Sequence, residues 1–373
     1  MIFKPLLVCA FLFAPFFTAN AHAQSPDIAT SQHVIGEIIE KTFVLETEEF
    51  GVERELYELT VQLDSGEQLT LDHASMMNKP GIATDVGNKI VIETIEGEAG
   101  DVRYFIREPY RYAKVLWFLV AFFILGVILG GKKGFSSMLG LVLSIAILMF
   151  FVVPQIVAGY SPLLISIIGC IAIAICSIYL AHGFNRRTTI AVVSTIITLV
   201  IAIILAVFIT SWLQLLGLGT EEAMFVMTGP LSHVNLRGLL LGGMIIGTLG
   251  ILDDITTAQT AAIDELSKAN HSFDFKELYQ RGMSIGQEHI ASLINSLALA
   301  YAGASLPLFL LFFTERNLPW WLIVNSEFIT EEITRTLIGS TALLLAVPIA
   351  TFFAARAFQL GNHTNATGHA CKH

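Results

Sequence analysis

Charge is what this chain has least of. Only 14% of its 373 residues are Asp, Glu, Lys or Arg, where a soluble globular domain carries about 25%. So few charges cannot clothe a water-facing surface of this size, and with 54% hydrophobic residues the composition points to lipid. The formal charge of −10 gathers largely in the first hundred residues, so it describes an exposed domain. No basic patch with interleaved aromatics occurs, which argues against a nucleic-acid partner.

Cysteine is equally scarce. There are four: Cys9 near the start, Cys170 and Cys176 in an apolar stretch, and Cys371 near the end. None falls in residues 24–112, so no disulfide framework is indicated there. The chain also lacks HxxxH, DxxH and CxxC spacings, which leaves any metal unspecified. It has no Ser-His-Asp order, no HExxH and no P-loop. No enzyme and no cofactor are expected.

What the chain has in abundance is apolar length. The first stretch, "MIFKPLLVCAFLFAPFFTANAHAQ", has one lysine, a short apolar core and Ala21-His22-Ala23. That layout predicts a signal peptide over residues 1–23. Residues 24–112 predict a small all-β domain. "HVIGEIIEKTFVLE" is rich in β-branched residues. "ELYELTVQL" and "QLTLDH" flank Asp64-Ser65-Gly66-Glu67, a hairpin turn by its chemistry. "GNKIVIET" and "VRYFI" add two strands, and five short strands fit an OB-like barrel.

From Ala113 the character changes. Runs long enough to cross a ~30 Å hydrocarbon core occur over 113–131, 135–154, 162–181, 189–212, 238–263, 288–313 and 334–357. The expected fold is therefore an α-helical polytopic membrane protein of about seven spans, residues 113–358, with an OB-like extracytoplasmic domain ahead of it and a cytoplasmic tail over 359–373. Lys132-Lys133, Arg186-Arg187, Lys268, Lys276, Arg281 and Arg356 occupy alternate connectors. With an exported N-terminus, all of them fall on the cytoplasmic side, as the positive-inside rule requires. The expected location is the bacterial cytoplasmic membrane, N-terminal domain outside and C-terminus inside.

The first four spans are nearly free of ionisable groups; the fifth is not. "GTLGILDDITTAQ" places Asp253 and Asp254 in an otherwise uncharged run. Steps of four, three and four link Asp253 to Thr257, Thr260 and Asp264 on one helix face. Nine uncharged residues follow Asp254, so the helix does not leave the membrane there. Gly238, Gly242, Gly243, Gly247 and Gly250 recur at spacings that let helix backbones approach. In the sixth span Ser284, Glu288, Ser292 and Asn295 make a second polar row, flanked by Gln287 and His289. A carboxylate at the bilayer centre costs at least ~2.5–3.5 kcal/mol, so such groups need a bundle interior, a wet cavity or a partner. The expectation is that spans five and six turn their stripes toward each other or toward one shared cavity.

"RGLLLGGMIIGTLGILDDITTAQTAAIDEL" followed by "RGMSIGQEHIASLINSLALAYAGASLPLFLLF" resembles the YibE/F family of bacterial integral membrane proteins. Asp253, Asn295, Tyr301, Gly303, Ser305 and Pro307 fall on positions that carry the resemblance, and Lys132-Lys133-Gly134 and Asn185-Arg186-Arg187 agree in layout. Gln287 stands where the pattern has arginine, so no fixed positive partner for Glu288 or the aspartates carries over. The resemblance implies a multi-spanning membrane protein without naming a substrate.

Two functions follow as expectations. One is a transporter or permease in which Asp253, Asp254, Glu288, Asn295, Thr257, Asp264 and His289 form a cation- or proton-coupled pathway. The other is an envelope assembly or sensing module whose β domain binds a periplasmic partner. The bilayer is a partner in both, and a homo-oligomer is open in both.

Overall fold

The computed structural model describes residues 32–49, 52–76, 84–96, 102–314 and 318–369. The expected signal peptide lies outside the described residues. The chain divides into two compact bodies, one containing the β domain and the chain to Leu125 and one containing the helices from Gly126.

The β body is one antiparallel sheet. Its strands are β1 (Gln32–Glu49), β2 (Val52–Leu63), β3 (Gln68–Met76), β4 (Lys89–Glu96) and β5 (Val102–Pro109), in the order β3-β2-β1-β4-β5. Alternation with period two sends Leu59, Val61 and Leu63 of β2, with Ile90 and Ile92 of β4, into a core shared with Ile38 and Leu71. The β2–β3 hairpin turns at Asp64–Glu67 as its residues demand. Gly66 takes φ +89°, and its N–H donates to the Leu63 carbonyl at 2.8 Å. Register shifts at Ile38/Glu40 and Phe43/Leu45 coil the long β1, as bulges do. Pairing of β1 with β4 ends at Glu37, so the far half of β1 is bonded to β2 alone among the described residues.

The helices are α1 (Tyr112–Ile147), whose start to Leu125 belongs to the first body, and, in the second body, α2 (Val153–Val157), α3 (Pro162–His182), α4 (Arg186–Trp212), α5 (Glu221–Thr228), α6 (Leu236–Ala269), α7 (Phe275–Ala304), α8 (Leu306–Thr314), α9 (Trp320–Val324) and α10 (Glu327–His369). Five stretches are long and apolar enough to cross a membrane: 112–157, 162–182, 186–212, 236–269 and 327–359. The first holds two of the expected spans in series. Its helix is broken at Gly131, at φ 56° and ψ −139°, a conformation that side-chain-bearing residues avoid. The chain doubles back there: a Cβ placed on Gly134 would strike the Gly126 carbonyl oxygen. The expected sixth span is divided between α7 and α8, which part at Ser305.

Side-chain caps start the helices where the sequence offers them. Asn185, Thr220, Asn235 and Asp274 accept from the N–H of Thr188, Ala223, Gly238 and Glu277. The Glu221-Glu222 pair thus belongs to a helix start, α5. At the centre lies α6, packed against α3, α4, α7 and α10. Its Ile245, Leu249, Leu252 and Ile255 meet Cys170, Ile173, Val192, Leu199 and Val347 in one apolar cluster. Basic connectors gather at one end: Arg186 donates to the Ala357 carbonyl at 2.6 Å, and Arg187 lies 3.9 Å from Asp264.

Candidate functional site

Asp253 stands at the midpoint of the 34-residue α6, far from either end of the helix. The Ser177 hydroxyl of α3 donates to its Oδ2 at 3.4 Å. Both aspartates open into a cavity of about 340 Å³ between α6, α3 and the second half of α1. Ser137 and Ser144 of α1, Ser177 and His182 of α3, and Thr257 of α6 supply the rest of its polar wall, with Gly250 beside them. A second cavity of about 320 Å³ adjoins it. Its lining combines Lys133, Arg187 and Thr188 with the same His182 and Thr257. The two cavities share His182 and Thr257, and the second lies on the side of the basic end of the bundle.

The aspartates are adjacent, so their side chains diverge by about 100° around the helix. That divergence lets one cavity take both, Asp253 against Ser177 and Asp254 toward His182. The Thr257 hydroxyl is committed to its own helix, donating to the Asp253 carbonyl at 2.8 Å. Asp264 is also committed, to Lys268 at 2.7 Å and to Arg187. It anchors the basic end and does not reach the cavity. Among the described residues no group of three or more His, Cys, Asp and Glu could hold a metal ion. The cavity's polar atoms are carboxylate and hydroxyl oxygens with the His182 ring, set among Leu141, Leu148, Ile173, Ile246 and Leu249, and such oxygens suit a proton or a hard cation.

The expected meeting of the two stripes does not occur. Ser284, Gln287, Glu288, Ser292 and Asn295 are all exposed on α7, and none lines the aspartate cavity. The reason lies on the opposite face of α7. Gly282 and Gly286 give α7 a side without side chains, and that side seats on α6 and α10. A Cβ on Gly282 would sit 3.0 Å from both Ile263 and Thr351, and one on Gly286 would strike Val347. Gln259 of α6 closes the joint by donating to the Gly282 carbonyl at 2.6 Å and to Thr351 Oγ1 at 2.9 Å. With α7 held by that face, its polar row points away. His289 is half-buried beside the row, its Nδ1 enclosed and without a hydrogen-bond partner among the described residues.

The α6 glycines divide in the same way. Gly242 packs on Ser166 of α3 and Gly238 lies near Pro162, as close approach requires, while Gly247 has the Tyr301 hydroxyl within 3.9 Å of a built Cβ. Gly243 and Gly250 have open space, and at Gly250 that space is the aspartate cavity.

Two features were not anticipated. Ser137, Ser144 and Ser177 sit in spans that look bland, yet the seven-residue step from Ser137 to Ser144 keeps both on one helix face. Glu327 and Glu331 at the start of α10 accept backbone N–H groups from Leu216–Gly219. Glu327 takes three, at 2.6, 2.9 and 3.2 Å, and Glu331 takes Gly219 at 3.0 Å. The acids of "NSEFITEE" carried that signal, unread because the carboxylates' partners lie more than a hundred residues away.

A family model described as YibE/F-like protein matches residues 118–360, the whole of the region that holds these cavities. No curated protein and no solved structure matches the chain.

Proposed function

The chain belongs to the YibE/F-like family, and from that premise we propose that it is a transporter or permease whose coupling carboxylates are Asp253 and Asp254. The observation that carries the reading is their placement. Two acids stand at the middle of a membrane-length helix, open to a largely apolar cavity that carries three serines, a threonine and His182 and shares residues with a second cavity that Lys133 and Arg187 line. Asp253 is half-buried there, which offsets part of the cost of charge in hydrocarbon, while Asp254 is exposed on the cavity side, and packing alone does not call for an adjacent pair beside an open space. In this reading Asp253 and Ser177 take the proton or cation, Asp254 passes it toward His182, and Lys133 and Arg187 bound the mouth. The pathway lies between α6 and the α1–α3 pair. Glu288, Asn295 and His289 stand outside it.

The same proposal has seven crossings, with α1 counted as two arms about Gly131 and α7–α8 as one. The first 23 residues would direct export, the OB-like β domain would lie outside the bacterial cytoplasmic membrane and the C-terminus inside. The gathering of basic residues at one end of the bundle supports that orientation.

Proteoliposomes carrying a pH-sensitive dye test it, with proton, sodium and potassium gradients imposed in turn. Coupled flux should be lost in Asp253→Asn while the variant keeps its melting temperature. Unchanged flux would remove the acids from the mechanism.

A second reading has its own observation. Beyond Ile38, whose backbone still bonds Gly87 and Asn88, the β1 edge is paired only with β2 among the described residues, and Phe43, Val44 and Leu45 there are each 45–51% exposed. An unpaired edge with apolar side chains can receive a strand from a periplasmic partner, as an assembly or sensing module would. Deleting residues 24–112 should then erase the cellular phenotype and Asp253→Asn should spare it.

A further inference from the structure

One face of α7 is accounted for by Gly282 and Gly286 against α6 and α10; the other is not. Its height in the bundle is fixed by its neighbours. Gly286 lies against Gln259 and Val347, and the Tyr301 hydroxyl lies within 4 Å of Cβ positions built on Gly247 and Gly339. Those four residues belong to the central parts of α6 and of the apolar stretch of α10. The outer face between them is therefore level with the middle of those two membrane-length helices. On it Ser292, Ser296 and Ala300 follow one another at four-residue steps within about 80° of the helix surface, every one exposed, with Asn295 exposed beside them and Glu288 exposed at the edge of the row.

The same molecule shows what a lipid-facing helix looks like. The exposed side chains of α4 include Val200, Ile204 and Phe208, and those of α10 include Leu337, Leu344 and Phe352. Against that standard the α7 face is wrong for acyl chains, which cannot hydrogen-bond to hydroxyls, a carboxamide or a carboxylate. It is right for another helix, because small residues at four-residue spacing let backbones close in and cross right-handed at about −40°.

We propose that this face is the two-fold interface of a homodimer within the membrane, α7 crossing α7 near Ser296. The occupant is a second copy because the row is self-complementary. Serine hydroxyls and the Asn295 carboxamide both donate and accept, so identical rows facing each other across a two-fold axis satisfy one another. Glu288 lies two turns, about 12 Å, from the crossing point, where the crossed helices have diverged and the two carboxylates do not meet head-on. The inference rests on the α7 surface and is independent of the transport reading.

The experiment uses the full chain in liposomes, counting subunits by photobleaching over a range of protein-to-lipid ratios. Dimers are expected, and the triple variant Ser292→Leu/Asn295→Leu/Ser296→Leu should raise the dimer dissociation constant by at least about tenfold. Ser296→Ala, which keeps the small ridge, should remain dimeric and serves where the triple variant fails to fold. Ser296→Cys should cross-link between copies under mild oxidation, whereas Ile204→Cys on α4 and the wild type should not. Wild-type monomers at every ratio would overturn the proposal. So would a dimer that withstands the leucines, or one whose Ser296→Cys variant does not cross-link.

Discussion

Gln259 on α6 donates its side-chain N–H to the backbone carbonyl of Gly282 on α7 at 2.6 Å, and Gly286 one turn on lies against the same carboxamide. This joint decides which way α7 faces. Gly286→Leu should force the helices apart, because the first added carbon already strikes Val347. Overpacking of this kind costs about 1–3 kcal/mol. Gln259→Leu should cost about 1 kcal/mol through the lost hydrogen bonds. Thermal unfolding in detergent checks both, and a Gly286→Leu protein as stable as the wild type would mean that α7 is held elsewhere.

Glu327 holds three successive backbone N–H groups with one carboxylate oxygen, and Glu331, 2% exposed, holds the fourth. Charge-assisted bonds to N–H groups are among the stronger ones. Glu327→Ala strands those donors and should destabilise the protein by about 1–3 kcal/mol. Gly219→Ala should do comparable damage, since its Cβ would lie 2.5 Å from the Glu331 carboxyl carbon. Faster proteolytic cutting at residues 213–220 in either variant is the expected readout.

The reading of the sequence was right where length and period decide. Six of the seven expected apolar runs fall within five long apolar stretches, while the run over 288–313 is divided between α7 and α8. Asp64-Ser65-Gly66-Glu67 became a hairpin turn because glycine alone tolerates φ +89° at no cost. That Asp253 stands well inside a long helix was also legible, because nine uncharged residues follow Asp254. What it faces was not. Helical periodicity tells which residues share a face and is silent on what that face meets. Gly282 and Gly286, in "RGMSIGQEH", were the residues that oriented α7, and they read as unremarkable beside Glu288. Lone serines on otherwise apolar spans gave no pattern until α1, α3 and α6 came together around them.

His73 in β3 has its pKa lowered from the ordinary value of 6.5, first by burial and then by the Lys41 ammonium. The folded state therefore binds its proton less readily than the unfolded chain does. Stability from this group is present above the unfolded value and is lost as pH falls from about 6.5 through the lowered folded pKa. The β domain should loosen in mild acid, and His73→Gln should flatten that dependence. Amide exchange in β2 and β3 of the full chain, corrected for intrinsic rates at pH 5 and pH 8, measures it; equal protection at both would exclude His73 as the cause.

Gly250 offers the sharpest separation of route from scaffold. It lines the aspartate cavity, and a Cβ built on it meets nothing within 4 Å, so the first added carbon enters open space at the cavity wall. Gly250→Leu should leave folding intact, and replacing a helical glycine removes backbone freedom from the unfolded chain. The added isobutyl group would occupy the space beside Asp253 and Asp254 while both carboxylates stay in place. If ions or protons pass there, flux should fall at least about tenfold, equivalent to about 1.4 kcal/mol on the barrier, with the melting temperature equal to or above that of the wild type. Asp253→Asn removes a charge and Gly250→Leu removes a passage, so loss of flux in both assigns the route to this cavity. Normal flux in Gly250→Leu alone would leave the aspartates as a coupling pair served by another path.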